Sequence, residues 1–259
     1  MNKVDFIKKE FKNNYVDAGP ENGILQSGKK PEKFKYHGSS THCRNFLYTL
    51  TKMLKPKYFL EIGSWHYESS NAVAKAMDEM YGEDGEGVID SFDIMMGGYD
   101  GQVQYEPKSK RINPRFWYPH HTNFDQWKYN SDIVFKDFVN LSNDEISEKN
   151  IKILNQALSE IPSKPSAYDI IFIDGDHSFE GAKQDFKVAK SVSNENTLFV
   201  VDNIWDARLE EVRDWFDSLN YVKWNFEEWN DEHYKDNMVQ DSGIFILEKI
   251  DTTKGDYNE

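Results

Sequence analysis

Apolar residues first recur at helical spacing in Phe46, Leu50, Met53 and Leu54, behind Ser39-Ser40-Thr41, which can cap a helix, and ahead of Pro56, which ends it. The period then shortens. Short apolar runs bounded by turn residues follow at Tyr58–Ile62, Gly87–Asp93, Ile151–Leu154, Tyr168–Ile173 and Thr197–Val201. They predict strands, the last two apolar enough to be buried on both faces. Helical stripes lie between them. Ser70 to Met80 carries Ala72, Val73, Ala76, Met77 and Met80, and Phe179 to Val192 carries Ala182, Phe186, Ala189 and Val192. A third stripe, Leu209, Val212, Trp215, Phe216 and Leu219, follows Asp206 as a candidate cap. Each reads as a helix face laid against a sheet.

Strands that alternate with helices require right-handed crossovers, so the pattern predicts an α/β fold: a doubly wound, mainly parallel sheet covered on both sides. The end of the chain differs. Tyr221–Phe226 and Gly243–Leu247 are strand-like runs joined by a polar stretch without a helical stripe, which predicts an antiparallel hairpin and brings the expected strands to seven. Residues 1–38 are polar and Lys-rich, broken by Gly19-Pro20, Gly23 and Gly28, and read as an irregular N-terminal arm after a short helix. The stretch from about 95 to 150 exceeds an ordinary connection and reads as an insertion with helix of its own, for instance Asp132–Leu141. With no internal repeat or linker, one domain over 39–250 is expected, followed by a polar tail at 251–259.

Composition agrees. The chain has 259 residues, with 38% apolar and 15% aromatic positions, enough rings to bury that a folded core is expected. Its 31 Lys+Arg against 45 Asp+Glu leave a net charge of −14, which argues against nucleic acid or an anionic membrane and for a small-molecule partner. No apolar h-region opens the sequence and no run approaches the roughly 18 apolar residues of a membrane span, so a cytoplasmic protein is expected. The single cysteine, Cys43, cannot form an intrachain disulfide and reads as a small buried packing residue rather than a nucleophile.

In a sheet of this kind ligands bind beyond the carboxyl ends of the strands. The first strand runs into Glu61-Ile62-Gly63-Ser64 and then a helix, without the glycine repeat that brings a backbone onto a dinucleotide pyrophosphate. Glu61 reads either as a buried structural carboxylate or as the acceptor of a ligand's ammonium group. At the end of the second strand Asp93, or Asp90 three residues earlier, can accept both hydroxyls of a ribose. The densest chemistry is Asp174-Gly175-Asp176-His177-Ser178 after the fourth strand and Asp202-Asn203 after the fifth. On neighbouring strands about 4.8 Å apart, Asp174, Asp202 and Asn203 would offer three oxygens to a hard cation such as Mg²⁺; the alternative is that Asp202-Asn203 caps a turn. His177 reads as a proton acceptor near neutral pH or as a helix cap. His120-His121, adjacent in the chain, reads as part of a loop.

These motifs together resemble the class I S-adenosylmethionine-dependent methyltransferases. Glu61-Ile62-Gly63 is similar to that superfamily's first motif, Ser91-Phe92-Asp93-Ile94 to its second acidic strand end, and Ile173 to Gly181 to the signature of its small-molecule, metal-dependent O-methyltransferase branch, whose members act on catechols and macrolide sugars. The likeness covers roughly Tyr58 to Asn203 and the terminal hairpin. It implies a Rossmann-like fold, with Glu61, Gly63 and Ser64 at the methionine end of the cofactor, Asp93 at the ribose, and Gln156 and Ala157 at the adenine. It further implies a cation on Asp174, Asp202 and Asn203, with Asp174 also touching the cofactor, and His177 as the proton acceptor. Tyr67 departs from the pattern, standing where the family usually has glycine.

The expected chemistry is methyl transfer from the sulfonium to an oxygen of a small hydroxylated acceptor, with sugars among the candidates. Asn113-Pro114-Arg115-Phe116-Trp117-Tyr118-Pro119-His120-His121 and Trp127 either stack on that acceptor or form a small satellite core. Two alternatives stand beside this reading: a metal-independent methyltransferase, and a non-catalytic α/β binding module whose cofactor pocket Tyr67 has closed. A homo-oligomer is compatible with either.

Overall fold

The computed structural model describes residues 1–16, 41–63, 68–82, 86–92, 111–117, 165–175, 179–202, 210–225 and 245–249. In chain order its elements are α1 (Lys3–Asn14), α2 (Thr41–Leu54), β1 (Tyr58–Ile62), α3 (Glu68–Tyr81), β2 (Gly87–Phe92), β3 (Ile112–Trp117), β4 (Ile170–Ile173), α4 (Phe179–Ser191), β5 (Leu198–Val201), α5 (Glu210–Ser218), β6 (Tyr221–Asn225) and β7 (Phe245–Lys249). The strands form one seven-stranded sheet in the order β3-β2-β1-β4-β5-β7-β6. Pairing is parallel from β3 to β5, and β7 runs antiparallel to both β5 and β6. The α/β class, the parallel centre and the closing hairpin are as the periodicity predicts.

The two-residue alternation of a strand sorts the core into two layers. Phe59, Ile89, Ile170, Phe172, Leu198, Val200 and Ile246 point to one side of the sheet, where they pack with residues of α1, α2 and α3. Leu60, Phe92, Ile171, Ile173, Phe199, Val201 and Leu247 point to the other, against α4 and α5. Buried Ala182, Phe186, Ala189, Val212 and Phe216 are the stripes read from the sequence. Because β2 lies on one side of β1 and β4 on the other, the chain reverses its winding between β1 and β4, the place where such sheets open a crevice. Among the described residues no helix is long and apolar enough to cross a membrane.

The short N-terminal helix expected from the sequence is α1, and it is docked: Val4, Ile7 and Phe11, one of its faces, are buried in the main core. Phe11 stacks on Phe46 with ring centroids 5.0 Å apart and meets Trp224 edge-on at 5.9 Å. Asn2 caps α1 by accepting the Asp5 N–H at 2.7 Å, and the Val4 N–H donates to Glu248 Oε2 at 2.9 Å, so two of the free amides of the first turn are satisfied. The Lys-rich polar face hid this stripe in composition.

One strand, β3, was not expected from the periodicity. The strand beside β2 is Ile112–Trp117, inside the stretch read as an insertion; Ile151–Leu154 lies outside the described residues, as do Asp132–Leu141 and 251–259. The strand was missed because it alternates poorly and contains Pro114. Among the described residues β3 is the edge of the sheet, where a proline's missing N–H leaves no neighbour unserved.

Candidate functional site

The site is built where β1, β2, β4 and β5 end level with one another, Ile62 opposite both Phe92 and Ile173, and Ile173 opposite Val201. The ladder continues one residue beyond the strands. The Gly63 N–H donates to the Phe92 carbonyl at 2.8 Å, the Asp174 N–H to the Ile62 carbonyl at 2.8 Å, and the Asp202 N–H to the Ile173 carbonyl at 3.0 Å. These three bonds tie the turns after β1, β4 and β5 into one rim.

Gly63 turns the chain with φ +87°, a conformation that a side chain rarely adopts. There is no room for one either, since a Cβ at this position would overlap the backbone carbonyl of Asp174. The turn after β1 thus lies directly on the turn after β4.

Glu61 and Ser91 are register partners and share the sheet face of Phe59 and Ile89. Asp174 and Asp202 continue the alternation of Phe172 and Val200 onto that same face. Glu61 is fully buried. Ser69 donates to its Oε1 and Ser70 to its Oε2, the latter at 2.6 Å, and the Ser70 and Ser91 hydroxyls are bonded to each other. Burial pushes the Glu61 carboxyl up to about 7, with the nearby Asp174 adding to the rise and the serine hydroxyls opposing it. The sequence reading missed these three serines. Ser69 and Ser70 sit in the first turn of α3, where a hydroxyl pair facing the preceding strand end was the available signal.

Asp202 is buried and Asp174 half-buried. Cys43, on α2, is fully buried as expected, but its role is more than packing: its thiol donates to the Asp202 carboxylate. Burial first, then Asp202, Asp174 and Glu61, push that thiol well above the usual range. Glu61, at the end of β1, and Asp174 and Asp202, just after β4 and β5, thus stand on neighbouring strand ends and all act on this thiol.

Asp90, the alternative to Asp93, takes the opposite face. It is fully buried and accepts the Tyr168 hydroxyl at 2.6 Å, so its carboxylate is engaged in the core. Ser64, Tyr67, Asp93, Gln156, Ala157, His177 and Asn203 lie outside the described residues, as do His120, His121 and Trp127.

In a doubly wound sheet ligands bind at the switch point, and here that point carries a rim of carboxylates. The methyltransferase-domain family matches residues 60–204, more than half of the chain, and the chain belongs to it. This bears out the resemblance read from the strand-end motifs. The chain is also similar to the O-methyltransferase from Bacillus cereus solved in complex with SAH, with 15% identity over 96% of this chain and 93% of that one and a TM-score of 0.47. It is similar as well to the O-methyltransferase TomG from Streptomyces achromogenes, involved in tomaymycin synthesis and solved with SAM, with 14% identity over 93% and 99% of the two chains and a TM-score of 0.47. No curated protein matches the chain.

Proposed function

We propose that this protein transfers the methyl group of S-adenosylmethionine to an oxygen of a small hydroxylated acceptor, with sugars among the candidates. The observation that carries the reading is that Glu61, Asp174 and Asp202 stand on neighbouring strand ends at the switch point, with the Gly63 turn against Asp174, in a chain of the methyltransferase-domain family. In this reading Glu61, Gly63 and Ser64 receive the methionine end of the cofactor, Asp93 its ribose, and Gln156 and Ala157 its adenine. Asp174 stands between cofactor and acceptor.

The reaction forms a bond from the acceptor oxygen to the methyl carbon as the carbon–sulfur bond breaks, leaving S-adenosylhomocysteine. His177 accepts the acceptor's hydroxyl proton, since a protonated alcohol is a weak nucleophile. Holding the two reactants in line contributes on the order of 7 to 11 kcal/mol. Asp174 and Asp202 are hard oxygen donors on neighbouring strand ends, the chemistry that Mg²⁺ takes, and Asn203 would complete the set. Such a cation, when bound, would neutralise the charge developing on the acceptor oxygen. Among the described residues, no group of three His, Cys, Asp or Glu side chains is arranged to hold a metal ion.

The thiol on Asp202 favours a second reading, in which that carboxylate is held by α2 and transfer proceeds without a metal. Calorimetric titration with S-adenosylmethionine and S-adenosylhomocysteine, with and without Mg²⁺, tests both. Asp93→Ala should weaken cofactor binding about tenfold or more, whereas Asp202→Ala should abolish any Mg²⁺ dependence and leave cofactor affinity within about threefold. Equal affinities in wild type and both variants would reject these residue roles, and Mg²⁺-insensitive binding and turnover in the wild type would select the metal-free reading.

A further inference from the structure

Asp185 is an acid on the buried face of α4, flanked by Ala182, Phe186, Val188 and Ala189, and only 6% exposed. Nothing in the methyl-transfer reading uses it. A carboxylate in such a face is costly unless the fold gives it polar work. Its place is specific: it lies against the backbone of Gly175, so closely that a Cβ there would overlap Asp185 Oδ2 and also press on Ile62 Cγ2 at 3.3 Å. Gly175 directly follows Asp174, and the Asp174 carbonyl in turn lies against Gly63, where a Cβ is equally excluded. The backbone at Asp174-Gly175 is therefore approached closely by both the Asp185 carboxylate and the Gly63 turn.

We propose that Asp185 is a positioning residue that holds the Asp174-Gly175 backbone against the Gly63 turn, and so sets the separation between the turn after β1 and the turn after β4. The importance of that separation for methyl transfer rests on the reading above, in which the first turn holds the cofactor and the second faces the acceptor. The two glycines fit this arrangement because each lets a backbone approach that any side chain would block. Placing the carboxylate on a helix packed into the core makes the rim rigid without contact with any ligand.

Amide hydrogen exchange on the ligand-free full chain tests the proposal, with S-adenosylhomocysteine calorimetry alongside. In Asp185→Ala, the Gly63 and Asp174 amides should exchange about tenfold faster or more while the Leu60 and Val200 amides stay within about twofold of wild type, and S-adenosylhomocysteine binding should weaken about tenfold. Asp185→Asn, which keeps the shape and one acceptor oxygen, should restore most of the protection; if the alanine variant does not fold, Asp185→Leu, which keeps the bulk and removes the polar group, takes its place and should show the same acceleration. Unchanged exchange at Gly63 and Asp174 would overturn the proposal, as would equal acceleration at Leu60 and Val200, the mark of a merely structural residue. If wild type binds no S-adenosylhomocysteine, the cofactor reading fails, and the exchange data still decide the role of Asp185.

Discussion

The thiol of Cys43 donates to the carboxylate of Asp202, joining the second helix of the chain to the end of its fifth strand. The contact brings α2 over the rim, and it makes the single cysteine part of the site's wall rather than filler. A buried acceptor that loses its donor costs about 1 to 3 kcal/mol, so Cys43→Ala should lower the urea-unfolding free energy by at least that amount, while Cys43→Ser, which keeps a donor, should recover most of it. The native thiol, fully buried, should react with a thiol reagent only as fast as the protein unfolds. Reaction at the rate of a free thiol would contradict the contact.

Glu61 predicts a pH dependence of stability. Its folded-state carboxyl, near 7, lies above the ordinary value of 4.5, so the folded protein holds this proton more tightly than the unfolded chain does. The stabilisation is fully present below pH 4.5 and is lost as pH rises to about 7, at up to about 1.4 kcal/mol per pH unit. Urea unfolding of wild type and Glu61→Gln at pH 5 and pH 7.5 isolates the effect. The wild type should lose a few kcal/mol relative to the variant over that interval, and parallel pH profiles would show that burial does not perturb Glu61. A cofactor ammonium prefers the ionised carboxylate, so S-adenosylhomocysteine affinity should also fall below pH 7, by up to about tenfold per unit.

Phe11 tests whether the N-terminal helix belongs to the core. It is fully buried between Phe46 and Trp224. Phe11→Ala should cost about 3 to 5 kcal/mol, read as a lowered urea midpoint. A loss below about 1 kcal/mol would mean that α1 is only loosely docked.

The legible parts of the fold were those whose own residues carried the signal. Ile170 to Ile173 is a continuous apolar run, and Phe59, Leu60 and Ile62 a run broken only by Glu61, because both faces of a central parallel strand are covered, and burial on two sides leaves a mark in one dimension. Among the described residues the strand Ile112–Trp117 has a neighbour on one side only, and it carries Pro114, so its pattern is faint. The α1 stripe of Val4, Ile7 and Phe11 has helical spacing but is outnumbered by lysines that need only solvent.

By itself the sequence determined the alternation of strands and helices, the closing hairpin, and acids and glycines placed just after the strands, because each is a local match of side chain to backbone. Tertiary structure alone decided which of them meet. That Gly63 lies on Asp174, that Cys43 bonds Asp202, that three serines hold Glu61, and that Asp90 turns away toward Tyr168 are contacts between segments distant in the chain. Strand order and face alternation create such contacts only once the sheet is assembled, and no short-range pattern encodes them.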